Sequence, residues 1–223
     1  MADLELFPAD ESERAIEPEP GSEPDRNAPL AARMRPRTLS EFRGQEHLLG
    51  EGRAIRAMLD QGSPQSMILW GPPGSGKTTL ARLIAAEANI AFVSLSAVSE
   101  GIARVREIIK QASARLQATG RRTVLFCDEI HRFNKAQQDG FLPHVEAGTV
   151  ILIGATTENP SFEVVRPLLS RAPVYVLNPL SSAELLAILV DAVSSKTRGL
   201  GDAGVRFEDD ALAFIAEVEG RKW

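Results

Sequence analysis

Five short runs of consecutive apolar residues punctuate the chain, at Met67 to Trp70, Phe92 to Leu95, Val124 to Cys127, Val150 to Ala155 and Val174 to Leu177. Runs of this length with no polar alternation are what strands buried on both faces require. Between them Leu80, Leu83, Ile84 and Ala88 recur at helical spacing, as do Ile102, Val105, Ile109, Ala112 and Leu116. Each intervening helix thus carries an apolar stripe to lay on a sheet. The alternation predicts βαβ units, hence an α/β fold built on a five-stranded parallel sheet with helices on both faces.

The pattern changes after Pro179, where only helical periodicity follows. Ser181 and Glu184 have the spacing of a capping box ahead of Leu185, Ile188 and Leu189. Asp209 and Asp210 open a second run through Leu212 and Ile215. Two helices of about a dozen residues leave little interior of their own, so residues 179–223 read as a partial helical domain appended to a core over 30–178.

Ahead of that core, residues 1–29 are rich in Glu, Pro, Ser and Asp and hold almost no bulky apolar residue beyond Leu4, Leu6 and Phe7. Such a segment cannot offset its ordering entropy by burial, which predicts a disordered acidic tail. It carries nine of the thirty acidic residues but only Arg14 and Arg26 of the twenty-five basic ones, a net of −7 within a chain total of −5. The remainder is then +2, compatible with touching a phosphate backbone and far from arguing nucleic-acid binding on charge alone.

With 223 residues the chain is long enough for one α/β domain with a sizeable core. No apolar stretch approaches the roughly 20 residues that span a bilayer, which argues against a membrane protein. The single cysteine, Cys127, has no internal disulfide partner, and no secretory signal pattern opens the chain, so the expected compartment is the reducing cytoplasm.

Chemistry enters at Gly71, Pro72, Pro73, Gly74, Ser75, Gly76, Lys77 and Thr78, followed by Thr79. This Gly-x4-Gly-Lys-Thr text follows the first strand and opens the first crossover helix, the context a phosphate-binding P-loop demands. Glycines let backbone N–H groups turn inward around phosphate oxygens and the helix amino terminus adds its dipole. Lys77 reaches the β and γ phosphates, and Thr78 ligates Mg²⁺.

The third run ends in Asp128 and Glu129, at the strand edge where ligands of parallel sheets bind. Asp128 is the expected Mg²⁺ partner and Glu129 the expected base for the attacking water. A strand ending in two acids is by itself commonly a solvated edge; the P-loop gives the pair a function. The fourth run also ends in polar groups, Thr156, Thr157 and Asn159. Thr157 is the candidate γ-phosphate sensor, with Thr156 and Asn159 as competitors, provided that this strand adjoins the P-loop strand. His131 reads as a loop hydrogen-bonding residue outside the catalytic set. Arg132, Phe133, Asn134, Lys135, Gln137 and Gln138 form a polar stretch that either faces DNA or is a solvated helix face.

Together with Arg35, Pro36, Leu39, Phe42 and Gly44-Gln45 upstream and Leu168-Leu169-Ser170-Arg171 downstream, these elements resemble an AAA+ ATPase. Within that superfamily Arg33 to Pro36, Gly44 to Gly50, Met67 to Trp70, Gly154 to Pro160 and above all Asp128 to Lys135 are similar to the RarA (MgsA) family, relatives of clamp loaders and of the RuvB motor. The resemblance implies that Gly44 and Gln45 lie by the adenine, that Thr157 acts as sensor 1, and that Arg171 is an arginine finger entering a neighbour's nucleotide site. It implies ATP and Mg²⁺ as cofactors and hydrolysis coupled to DNA replication, recombination and repair at stalled forks. The implied partners are DNA forks, gaps or ends, further copies of the chain and single-stranded DNA-binding protein, at a cytoplasmic, nucleoid-associated location.

The island Asp3-Leu4-Glu5-Leu6-Phe7 resembles the bacterial sliding-clamp-binding pentapeptide, without its initial Gln. Its alternative is an apolar island with no partner. Family members continue into a lid arginine, sensor 2, and an oligomerisation domain, neither of which is read before Trp223. The sequence therefore leaves a second function open, a nucleotide-binding interaction module with little turnover. A P-loop kinase also fits the Gly-Lys-Thr text but leaves Glu129 and Arg171 without a role.

Overall fold

The computed structural model describes residues 27–220. The clamp-like island at Leu4, Leu6 and Phe7 and the acidic tail up to residue 26 lie outside the described residues. All five expected strands form: β1 (Met67–Trp70), β2 (Ala91–Ser96), β3 (Thr123–Asp128), β4 (Val150–Thr156) and β5 (Val174–Val176). They make one parallel sheet in the order β2-β3-β4-β1-β5.

Alternation along the strands divides the core in two. Leu125 and Cys127 of β3, Ile68 of β1 and Leu152 of β4 face one side. Val124 and Phe126, Met67 and Leu69, and Ile151 and Ile153 face the other. Helix α1 (Lys77–Glu87) covers the second face with Leu80, Ala81, Ile84 and Ala85, and helix α2 (Ile102–Thr119) covers the first with Val105, Ile108, Ile109 and Ala112. Both faces are dry, which is why the strands read as unbroken apolar runs. Cys127 is buried within β3, and burial drives its thiol pKa far up.

β5 is the exception. It lies at the sheet edge, pairs only with β1, and leaves Val174 and Val176 exposed. Its ladder ends one residue before the apolar run does, although the Leu177 N–H still donates to the Trp70 carbonyl at 2.6 Å.

Beyond β5 the described chain is helical, with α3 (Ser182–Ser194) and α4 (Asp209–Gly220) packed on one another. The Ser181 hydroxyl accepts from the Glu184 N–H and the Glu184 carboxylate accepts from the Ser181 N–H, so the capping box is complete. Several short helices, among them Lys135–Asp139, Leu142–Glu146, Pro160–Glu163 and Arg166–Leu169, were not visible as periodicity. One turn of helix carries no repeat to detect.

Candidate functional site

The strand order decides the site. β4 lies between β1 and β3, so the P-loop after β1, the polar residues after β4 and the acid pair after β3 emerge side by side at the carboxyl edge of one sheet. The condition attached to Thr157 is therefore met: Trp70 and Thr156 are register partners.

The P-loop turns on two residues of positive φ, Gly74 at 78° and Gly76 at 94°. At Gly76 a Cβ would also come within 2.8 Å of the Phe42 ring, which packs on the loop. Only glycine meets both demands. Gly71, Ser75 and Lys77 are buried, Pro72, Gly76, Thr78 and Thr79 are half-buried, and Pro73 and Gly74 are exposed. Lys77 opens α1 with its side chain folded back, donating from Nζ to the Gly71 carbonyl at 2.7 Å and the Pro72 carbonyl at 2.9 Å. Burial lowers its pKa, opposed by the nearby charges of Glu129 and Asp128.

Asp128 is the last residue of β3 and accepts the Glu129 N–H on Oδ1 at 3.2 Å. Its carboxyl pKa is raised, first by burial and then by the charge of Glu129, with Lys77 and that N–H pulling the other way. Glu129 leaves the strand in the left-handed region, φ 51°. A non-glycine residue there carries roughly 1–2 kcal/mol of strain. The bend turns its carboxylate toward β4, where Oε2 accepts the Thr157 hydroxyl at 3.3 Å.

His131 joins the same group. Its Nδ1 lies 3.2 Å from Glu129 Oε2 and 2.9 Å from the hydroxyl of Thr156, which is fully buried. The spacing from the acid pair was visible in the sequence, but Thr156 is 25 positions away, and only the pairing of β3 with β4 reveals the contact. Of the sensor competitors, Asn159 spends its side chain capping the short helix Pro160–Glu163 by accepting the Ser161 N–H.

Beside the P-loop lies a cavity of about 570 Å³, lined by Met34, Pro36, Phe42, Leu180 and Ile188 together with Gly74 to Gly76. Two ion pairs cross its rim, Arg43 to Asp191 at 2.9 Å and Arg198 to Glu41 at 3.0 Å. Gly44 and Gln45 stand behind this cavity rather than in its lining. Gln45 is buried, donating from Nε2 to the Asn178 carbonyl at 2.7 Å and accepting the Asn178 N–H on Oε1 at 2.9 Å. A Cβ at Gly44 would meet Glu184 and Leu180 at 2.9 Å. The two residues thus clamp the amino-terminal segment to the start of the helical region.

Arg171 is at the opposite edge. The Ile68 N–H donates to the Pro173 carbonyl, whereas the P-loop begins level with Leu177. Four strand residues, about 13 Å, separate those levels. Arg171 instead donates to the Pro167 carbonyl and the Ser170 hydroxyl at 3.0 Å each and pairs with Glu146. It is thus not brought into its own chain's P-loop site.

The stretch after His131 is not a uniform polar face. Phe133 is in the core, and buried Gln138 donates to the Phe133 and Glu163 carbonyls and accepts the Val165 N–H. Asn134 and Gln137 form a capping box with one another. Arg132 and Lys135 remain exposed.

The residues fit a nucleoside triphosphate with a divalent cation. The Ser75 hydroxyl is buried with no hydrogen-bond partner among the described residues, as expected of a donor reserved for a ligand. The space beside Gly74 is open. Among the described residues no group of three or more His, Cys, Asp or Glu side chains converges to hold a metal, so a cation beside Asp128 would take its other ligands from Thr78, phosphate and water.

Residues 67–180 match the ATPase family associated with various cellular activities (AAA). The chain is 53% identical over 189 residues to the Replication-associated recombination protein A of Haemophilus influenzae, and 52% identical over 190 residues to that of Escherichia coli K12. Each alignment covers 85% of this chain and 42% of the relative, so the chain spans less than half the length of these curated relatives. Among solved structures, the Thermotoga maritima RuvB Holliday junction branch migration motor superposes with a TM-score of 0.63 at 34% identity, over 82% of this chain and 59% of that one.

Proposed function

Because the chain belongs to the ATPase family associated with various cellular activities (AAA), we propose that it binds ATP with Mg²⁺ and hydrolyses it in the service of DNA replication and recombination. One observation carries hydrolysis rather than binding alone: a second carboxylate, Glu129, stands beyond Asp128 and is held from β4 by the Thr157 hydroxyl.

In this reading the backbone N–H groups of Gly74 and Gly76, with those of Lys77 and Thr78 that open α1, cradle the phosphates, and the Lys77 side chain leaves its carbonyl partners to reach them. The Ser75 hydroxyl gains the acceptor it lacks. Thr78 and Asp128 hold Mg²⁺, which supplies charge neutralisation along the phosphate chain. Glu129 takes the proton of the attacking water, and Thr157 senses the γ-phosphate from beside that base. The cavity between Phe42 and α3 takes the nucleoside, and the clamp of Gly44 and Gln45 on Asn178 keeps it formed.

Arg171 is assigned to the neighbouring subunit's site, because four strand residues part its edge from its own P-loop. A cation there stabilises transition-state charge and is worth about 10³ to 10⁵ in rate. The reading therefore includes a homo-oligomer. DNA is the proposed nucleic-acid partner, on the strength of relatives named for replication-associated recombination, and forks, gaps or ends are the forms proposed from the family resemblance of the sequence. The deciding experiment is Mg²⁺-ATP turnover with and without forked or gapped DNA. DNA-stimulated turnover supports this reading. Tight nucleotide binding with no turnover in any assembly overturns it in favour of a nucleotide-binding interaction module.

A further inference from the structure

The contacts of His131 Nδ1 bear on which ring nitrogen keeps a hydrogen. The Thr156 hydroxyl has one hydrogen and two acceptor sites. It can give its hydrogen to the Glu158 carbonyl at 3.2 Å, while one acceptor site takes the Glu158 N–H at 3.0 Å. What remains for His131 Nδ1, 2.9 Å away, is an acceptor. The other neighbour of Nδ1 is the Glu129 carboxylate, 3.2 Å off at Oε2, and an ionised carboxylate only accepts. A hydrogen on Nδ1 suits both neighbours, donated to the hydroxyl and facing the carboxylate, which has none of its own to give.

We infer that His131 is a positioning residue for Glu129: its Nδ1–H, anchored on buried Thr156, holds the carboxylate through Oε2 and leaves Oε1 to meet water. This rests on the hydrolytic reading above. Oε2 accepts the Thr157 hydroxyl and lies 3.2 Å from His131 Nδ1, whereas Oε1 has no hydrogen bond among the described residues. The His131 side chain is 8% exposed and that of Glu129 28%, so the holder is inside and the held group opens outward. Both contacts are set by the end of β4, Thr157 directly and His131 through Thr156, so the strand beside the P-loop orients a base that belongs to β3. The left-handed backbone of Glu129 carries strain that surrounding contacts must hold.

The test exploits the two ring nitrogens. In His131→Asn the side-chain amide nitrogen takes roughly the place of Nδ1, whereas in His131→Gln it takes roughly the place of Nε2. Turnover of His131→Asn should stay within about threefold of the parent and that of His131→Gln should fall about tenfold or more, with ATP affinity unchanged within about threefold in both. Equal loss in the two variants, or no loss in either, overturns the inference.

A spectroscopic readout keeps the test independent of activity and of any folding defect in the variants. Nitrogen NMR of the nucleotide-free parent, with the three histidine rings distinguished by the variants, should find hydrogen on Nδ1 of His131. Its resonance should move in Glu129→Gln and in Thr156→Val. A ring protonated at Nε2 alone overturns the inference even where turnover is normal. A protonated Nδ1 that responds to both substitutions, in a chain without turnover, sustains the holding of Glu129 while the hydrolytic reading fails.

Discussion

The Thr157 hydroxyl lies 3.3 Å from Oε2 of Glu129, though 28 positions separate them in sequence. The contact exists because β4 is inserted between the P-loop strand and the strand that ends in Asp128. It ties the proposed γ-phosphate sensor to the proposed base without an intervening residue. Thr157→Val removes the donor, keeps the side-chain shape, and is expected to cut turnover by about tenfold or more with little change in ATP affinity, as a fluorescent nucleotide titration run beside a phosphate-release assay would reveal.

Lys77 holds the loop together in the absence of phosphate, through the carbonyls of Gly71 and Pro72. Lys77→Ala is expected to abolish measurable ATP binding by calorimetry. Retained binding would mean that the phosphates sit elsewhere.

Asp128 stores a pH-dependent penalty. Its pKa is raised on folding by burial and by Glu129. As pH rises from the ordinary carboxylate range through the raised folded value, the unfolded chain loses its proton first and stability falls. Above the raised folded value the penalty is fully present. Asp128→Asn lacks it and should melt higher than the parent there. The gap should close in acid, below the unfolded carboxyl's pKa. Mg²⁺ with ATP should stabilise the parent and not this variant, which melting curves at two pH values would check.

Gln45 satisfies both backbone groups of Asn178 from a buried position. Gln45→Ala leaves those groups unpaired and should cost about 1–3 kcal/mol, measured by urea denaturation. ATP affinity should fall as well, since the same clamp keeps the helical region against the cavity.

Arg171 should matter only between copies. Arg171→Ala is expected to leave ATP binding intact and to reduce turnover about 10³-fold or more under conditions where parent turnover per chain rises with protein concentration. A loss of nucleotide binding in the dilute variant would place the residue in its own subunit's site.

How much of this was legible in the sequence follows from the range of each interaction. The five strands were readable because burial on both faces writes unbroken apolar runs. The P-loop and the acid pair were readable because their chemistry is carried by neighbouring residues at strand ends. The capping box of Ser181 with Glu184 is local and was equally visible. Edge position shortened β5 relative to its apolar run, which composition alone does not encode. His131 was read as a hydrogen-bonding residue, but its partner Thr156 was not legible because another strand supplies it. Gln138 looked solvated because its letter is polar, yet its amide bonds three backbone groups inside the fold. Gln45 was assigned to the adenine by resemblance, and its side-chain hydrogen bonds to a backbone 133 positions away were not legible.

The measurement that tests the central claim most directly is Mg²⁺-ATP turnover of Glu129→Gln beside the parent, with nucleotide affinity determined on the same samples. Losing the general base should lower turnover by about 10²- to 10⁴-fold while affinity holds. Parent-like turnover in Glu129→Gln would contradict the assignment of the base and, with it, the hydrolytic account of the site.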